Sequence, residues 1–210
     1  MVVVILVYTV GSPDIYRIRV VRGVDQRFGR LDIVARIMDV LLDDAFKDVD
    51  KYLIVYIESI KMAVHIDVDA VDKRFYREVE LYNILLRCIN SSTTFCSKIE
   101  IDFELLLEML QARYEIAVLS EEGNILFPDC IGVDTVYVVG TEEDPPKDVV
   151  ARYRKISIGP LSYQADQVVS YLAWIIARGK SRRPDPSLGG LRPLSEATAS
   201  PNVAGLTSGI

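Results

Sequence analysis

The run Val2-Val3-Val4-Ile5-Leu6-Val7-Tyr8 constrains this chain more than any other feature. It has no polar face to turn toward water, so an extended segment here must be covered on both sides. It falls far short of the roughly 20 apolar residues that cross a bilayer. It also lacks the basic leader and small-residue cleavage site of a secretory signal. A strand buried on both faces belongs in a parallel sheet with helices above and below it.

The rest of the chain keeps that rhythm. Leu31, Val34, Ala35, Met38, Leu41 and Leu42 recur at helical spacing and predict a helix from Leu31 to about Phe46. Strands are expected at Tyr16–Val20, Tyr52–Glu58, Ala63–Asp67, Ile116–Leu119, Thr135–Val139 and Lys155–Ile158, with a short extended piece at Ile125–Phe127. Ser120 to Asn124 reads as a turn. Further helices are expected over Asp72–Asn90, after an Asp102 cap to about Arg113, and after a Ser162 cap to about Arg178. This alternation indicates an α/β fold with a largely parallel sheet and helices on both faces. The 210 residues suffice for one such domain, which we place at 1–178. Residues 179–210 are rich in Gly, Ser, Pro and Ala without periodicity, the composition of a disordered tail.

Composition removes several classes of chemistry. His65 is the only histidine, so a two-histidine metal site is excluded, and a Ser-His or Cys-His unit could use His65 alone. Its alternating surroundings make it a hydrogen-bonded strand residue. Cys88, Cys96 and Cys130 are odd in number, widely spaced and without a CxxC pair. That argues for a reducing cytoplasm, against a disulfide framework and against a thiolate metal site. The formal net charge of −6 does not exclude a polyanionic partner, because Arg17, Arg19, Arg22, Arg27, Arg30 and Arg36 lie close together. Arg152, Arg154 and Lys155 form a second basic group.

Ligands of parallel sheets bind outside the carboxyl ends of the strands. That directs attention to the ends after Leu119, Val139 and Ile158. Gly140 and Gly159 would let a ligand approach the backbone, and Ile156, Ile158 and Leu161 could wall an adenine pocket. No GxGxxG or GxxxxGK phosphate loop is present, which disfavours a nucleotide-dependent small-molecule enzyme.

Three pieces occur in a familiar order: Gly29-Arg30-Leu31-Asp32, Val136-Tyr137-Val138-Val139-Gly140, and Lys155-Ile156-Ser157-Ile158-Gly159-Pro160-Leu161-Ser162-Tyr163 before an amphipathic helix. Together they resemble the archaeal tRNA methyltransferases that act on N-1 of the T-loop pseudouridine at position 54. A related group methylates pseudouridine in small-subunit ribosomal RNA and assists ribosome assembly. Both belong to the SPOUT class, and the GRLD form is closer to the tRNA group.

The resemblance implies a C-terminal trefoil-type knot, a homodimer, and S-adenosylmethionine as cofactor. It carries cofactor contacts onto Leu119, Gly140, Ser157, Ile158, Gly159, Pro160, Leu161, Ser162 and Val168. Asp32 is the candidate for contacting the target base, either orienting it or accepting the proton, with Arg30 on a phosphate or the base carbonyl; the clustered Arg22, Arg27, Arg30 and Arg36 are the candidates for binding RNA, with tRNA expected and ribosomal RNA the alternative. The final helix, with Tyr163, Val168, Tyr171, Leu172 and Ile175, is the expected dimer element, and Phe28 or Tyr163 could stack on the base. Two departures stand out. Thr141-Glu142-Glu143-Asp144-Pro145-Pro146 replaces an acidic-His-Ile-Gly piece, and Val168 stands where family members carry a cysteine near the cofactor. These changes keep a non-catalytic RNA-binding or assembly factor of the same fold as a second reading.

Overall fold

The computed structural model describes residues 2–17, 22–23, 29–43, 46, 49–71, 77–91, 93–125, 134–159 and 161–181. The opening run forms β1 (Val2–Thr9), and it lies inside a seven-stranded sheet. β1 pairs in parallel with β2 (Asp50–Ile57) on one side and with β6 (Thr135–Gly140) on the other. Val3, Ile5 and Val7 point into one core cluster, and Val4, Leu6 and Tyr8 into the other. The apolar run is thus explained residue by residue.

Beyond β2 the sheet continues antiparallel through β3 (Met62–Asp67) to β4 (Cys96–Glu100) at one edge. Beyond β6 it continues in parallel through β5 (Glu115–Ile125) to β7 (Arg154–Ser157) at the other edge. The order is β4-β3-β2-β1-β6-β5-β7.

Helices α1 (Leu31–Leu42), α2 (Glu78–Asn90) and α5 (Ala165–Ser181) supply residues to the larger core cluster on one face. The opposite face is covered by α3 (Phe103–Gln111) and by the short α4 (Lys147–Val150). The expected stripe on α1 is buried at Leu31, Val34, Ala35, Met38 and Leu41.

Several boundaries differ from expectation for identifiable reasons. Tyr16 belongs to a 3-10 turn (Pro13–Arg17), and residues 18–21 lie outside the described part. Ser120–Gly123 is not a turn. β5 runs through it with an irregularity, leaving β7 at Leu119 and rejoining it at Asn124. Gly123 allows this, because a Cβ there would sit 2.4 Å from the Ile156 backbone. Ser162 does not cap α5. The helix begins at Ala165, and the Gln167 side chain accepts from the Gln164 N–H at 3.2 Å. That helix also continues through Ser181, past the expected start of the tail, and residues 182–210 lie outside the described part.

The expectation of unpaired cysteines does not hold for Cys88 and Cys96. Cys88, near the end of α2, is bonded to Cys96 at the start of β4. The chain returns so sharply between these elements that the two Cα atoms lie 5.8 Å apart, within bridging range. Cys130 is outside the described residues. His65 stacks on Tyr52 with ring centroids 5.3 Å apart, and burial pushes its imidazole toward the neutral form.

Thiol titration of the unfolded, unreduced protein should find one free thiol, that of Cys130. Reducing the bond, which closes a loop across 8 positions, should lower the unfolding free energy by about 2–3 kcal/mol in denaturant titrations. Three titratable thiols would remove the bond from the description.

Candidate active site

β5, β6 and β7 are parallel, so their carboxyl ends open on the same edge of the sheet. Between those ends lies a cavity of about 300 Å³, the lower range for small-molecule sites. Leu119 lines it from β5 at the point where that strand leaves β7, and Gly140 and Ser157 from the ends of β6 and β7; Ile158, Gly159, Leu161 and Ser162 line it from the loop after β7; Val168 reaches it from α5. Pro160 is outside the described residues. Ile156 and Val139 make an apolar floor, both 4% exposed. Leu161, at 63% exposure, forms rim rather than wall.

The walls are held by their own chemistry. The Ser157 hydroxyl donates to the Gly159 carbonyl at 2.6 Å, and its oxygen accepts from the Gly159 N–H at 3.1 Å. The ring of Tyr163 lies against Gly159, where a Cβ would meet Tyr163 Oη at 3.1 Å. Glu121, Glu122, Asp144, Lys147 and Lys155 also line the cavity. Lys155 donates to Glu122 at 2.9 Å and holds that carboxyl below its usual range.

A charged cluster stands at the start of α1. Arg30 Nε donates to Asp32 Oδ1 at 2.9 Å and its Nη2 to Oδ2 at 3.0 Å, a two-pronged pair. Arg36 Nη2 reaches the same Oδ2 at 3.3 Å, and Arg36 Nε lies 3.2 Å from Asp166 on α5. Asp32 is only 3% exposed. Burial would raise its carboxyl, but hydrogen bonds from Arg30 and the charges of Arg30 and Arg36 outweigh that and hold it below its usual value. Asp166 and the cavity residue Val168 both belong to α5, so the cluster is fastened to a helix that also reaches the cavity.

Residues 19–178 match the family described as "Putative SAM-dependent RNA methyltransferase". The chain belongs to that family. Its fold is similar to the crystal structure of Archaeoglobus fulgidus Nep1 bound to S-adenosylhomocysteine, with a TM-score of 0.59 and 16% identity, covering 86% of this chain and 98% of that one. A structure concerned with 2-OH methylation of C/U34 on tRNA aligns over 86% of this chain and 91% of its own, at 13% identity and a TM-score of 0.48. None of the curated proteins matches the chain. The likeness to Nep1 is one of fold, a mostly parallel α/β sheet covered by helices.

As a member of this methyltransferase family the chain uses S-adenosylmethionine. The cavity suits such a group: an apolar floor, strand-end backbone, and carboxylates at Glu121 and Asp144 compatible with a sulfonium cation.

Other expected site residues fare unevenly in this RNA methyltransferase. Arg22 is exposed, whereas Arg27 and Phe28 are outside the described residues. Arg36 is turned toward two carboxylates rather than outward. The second basic group is matched by acids: Arg152 faces Glu104 and Glu108, Arg154 faces Glu115, and Lys155 faces Glu122. On α5, Leu172 and Ile175 are fully buried and Val168 nearly so, packed on the chain's own core, whereas Trp174 is 45% exposed. Among the described residues, no helix is long and apolar enough to cross a membrane, and no cluster of His, Cys, Asp or Glu could hold a metal ion.

Sequence reasoning missed Glu142. It stands two residues beyond Gly140, and its carboxylate accepts from the Thr9 hydroxyl at 3.0 Å, the Val10 N–H at 3.0 Å and the Gly11 N–H at 3.3 Å, besides the Thr141 hydroxyl. The four donors lie at the ends of β1 and β6, two adjacent strands. The only signal in the sequence was an acid just after a strand-ending glycine. Burial works against ionisation of Glu142, but hydrogen bonds from Thr141, the backbone and Thr9 outweigh it and hold the carboxyl low.

A folded-state pKa below the unfolded one stabilises the protein above the unfolded value, and the stabilisation is lost as pH falls through the folded one. The unfolding free energy should therefore drop as pH falls below the usual glutamate value of 4.5. Glu142→Gln should flatten that drop when denaturation is followed across acid pH. An unchanged pH profile in the variant would show that Glu142 does not contribute to it.

Proposed function

We propose that this enzyme methylates N-1 of the T-loop pseudouridine of tRNA. The observation that carries the reading is the strand-end cavity in a member of this RNA methyltransferase family, with the Arg30–Asp32 pair fastened through Arg36 and Asp166 to α5, the helix that also bears the cavity residue Val168. S-adenosylmethionine supplies a methyl group already activated on a sulfonium. The protein's task is then to orient the acceptor nitrogen and exclude competing geometries. Pseudouridine is joined to ribose through carbon, so its N-1 carries a proton, and methyl transfer replaces that N–H bond with an N–CH3 bond while the proton passes to water. The same nitrogen in uridine is bonded to ribose.

The division of roles follows from exposure. The Arg30 side chain is 30% exposed and can offer its guanidinium to a base carbonyl or a phosphate. Asp32 is enclosed and has both oxygens engaged, so it fixes the plane of Arg30 rather than taking a proton. Arg22 and Arg27 are the phosphate contacts. The cofactor contacts are Leu119, Gly140, Ser157–Ser162 and Val168. We read the passage from β6 to the far edge at β7, which crosses β5, as the family's knotted crossing. The exposed α5 face around Trp174 is the surface for a second copy. The reading places the enzyme in the cytoplasm, with its tRNA.

Labelled S-adenosylmethionine should pass its methyl group to tRNA prepared from cells lacking this protein, and only where the T-loop pseudouridine is present. Label confined to ribosomal RNA would move the substrate to the small subunit, and no label in either would favour a binding or assembly role. Asp32→Asn should cut transfer at least about tenfold while S-adenosylhomocysteine binding, measured by calorimetry, is retained. An unchanged rate would remove Asp32 from the reaction.

A further inference from the structure

Glu142 joins two halves of the site that are otherwise separate in the chain. On one side it belongs to the loop that walls the cavity. Gly140 and Asp144 both line that cavity, and the loop folds so tightly over Gly140 that a Cβ there would fall 2.2 Å from the Glu143 carbonyl oxygen. On the other side its carboxylate holds Thr9, Val10 and Gly11. Gly29, the residue before Arg30, rests on that same turn. It has a φ of +92°, and a Cβ on it would lie 2.7 Å from Gly11 Cα and 3.2 Å from Thr9 Oγ1. The path therefore runs from cavity wall to Glu142, to the Thr9–Gly11 turn, to Gly29, and into Arg30 and Asp32. Thr9 is fully buried, so its hydroxyl has no ready exchange with water.

We infer that Glu142 is a positioning residue that fixes the cavity wall at 140–144 relative to the Arg30–Asp32 pair. The inference rests on the functional reading above for what the two sides do, but the mechanical coupling can be measured without any reaction. The carboxylate suits the task because two oxygens can take four donors at once, which a neutral amide can match only in part. After the hydrogen bond to Asp32, the charges of Glu142 and Asp166 also help keep the Arg30 guanidinium protonated.

The test begins with unliganded protein and amide hydrogen exchange. In Glu142→Ala, exchange should accelerate together at residues 9–11, 29–32 and 140–144, by about tenfold or more. Acceleration confined to 140–144, or none, overturns the coupling. Thr9→Val removes one donor and leaves the carboxylate in place; it should shift the same three segments in the same direction, and it keeps the test open if the alanine variant fails to fold. No shift in folded Thr9→Val overturns the inference as well. Folded Glu142→Ala should also bind S-adenosylhomocysteine about tenfold more weakly, and Glu142→Gln should recover part of that loss. Binding within twofold of wild type in the alanine variant overturns the role at the cavity. The two readings fail separately. Wild type that transfers no methyl group, with the three segments still coupled, defeats the functional reading alone. Normal transfer with uncoupled segments defeats only the assignment of Glu142.

Discussion

The burial of β1 on both faces, with a parallel neighbour on each side, is the constraint on which the rest of the molecule depends. Val3, Ile5 and Leu6 are completely enclosed, and so is Thr9 at the strand's end. Because β6 and β2 both run parallel to β1, their carboxyl ends lie at one edge of the sheet. That edge gathers Gly140, the Thr9–Gly11 turn and, through Gly29, the start of α1. The site is thus a consequence of strand direction, and the side chains at its rim refine a location already chosen by topology.

What could be read from the sequence was what periodicity and strand-end chemistry express directly. The α1 stripe, the strands β1, β2 and β3, and the residues of β5, β6 and β7 that line the cavity all fall in this class. The elements that were missed carry weaker signals. β4 reads Cys-Ser-Lys-Ile-Glu, and only Cys96 is buried, because an edge strand has one neighbour and little core to face. The Ser120–Gly123 segment has turn composition, yet pairing with β7 resumes beyond it and keeps it in the strand. Local propensity yields there to tertiary context. The Cys88–Cys96 bond was hidden because a count of three says nothing about how sharply the chain returns from α2. Glu142 was hidden because three of its four partners lie more than 130 residues away in the chain.

Charge in this RNA methyltransferase is more organised than its total suggests. Asp32 faces Arg30 and Arg36, Asp166 faces Arg36, and Arg152, Arg154 and Lys155 each face a glutamate. The exposed pairs contribute little to stability, since water screens them. They do narrow the cationic surface offered to a phosphate backbone. Arginines that look like an RNA-binding band in the sequence are in part internal braces.

The position of β1 also shapes how the chain must emerge from a ribosome. β1 to β4 are complete once residue 100 has been made, and they form one contiguous half of the sheet. The partner for the open side of β1 begins only at Thr135. At translation rates of roughly 5–20 residues per second, those 35 residues take roughly 2 to 7 s. For that interval a flat, apolar strand edge stands unpaired, the kind of surface that pairs with other nascent chains. A protein built this way places its greatest demand on chaperones midway through synthesis, before β6 and β7, two of its three cavity-forming strands, exist.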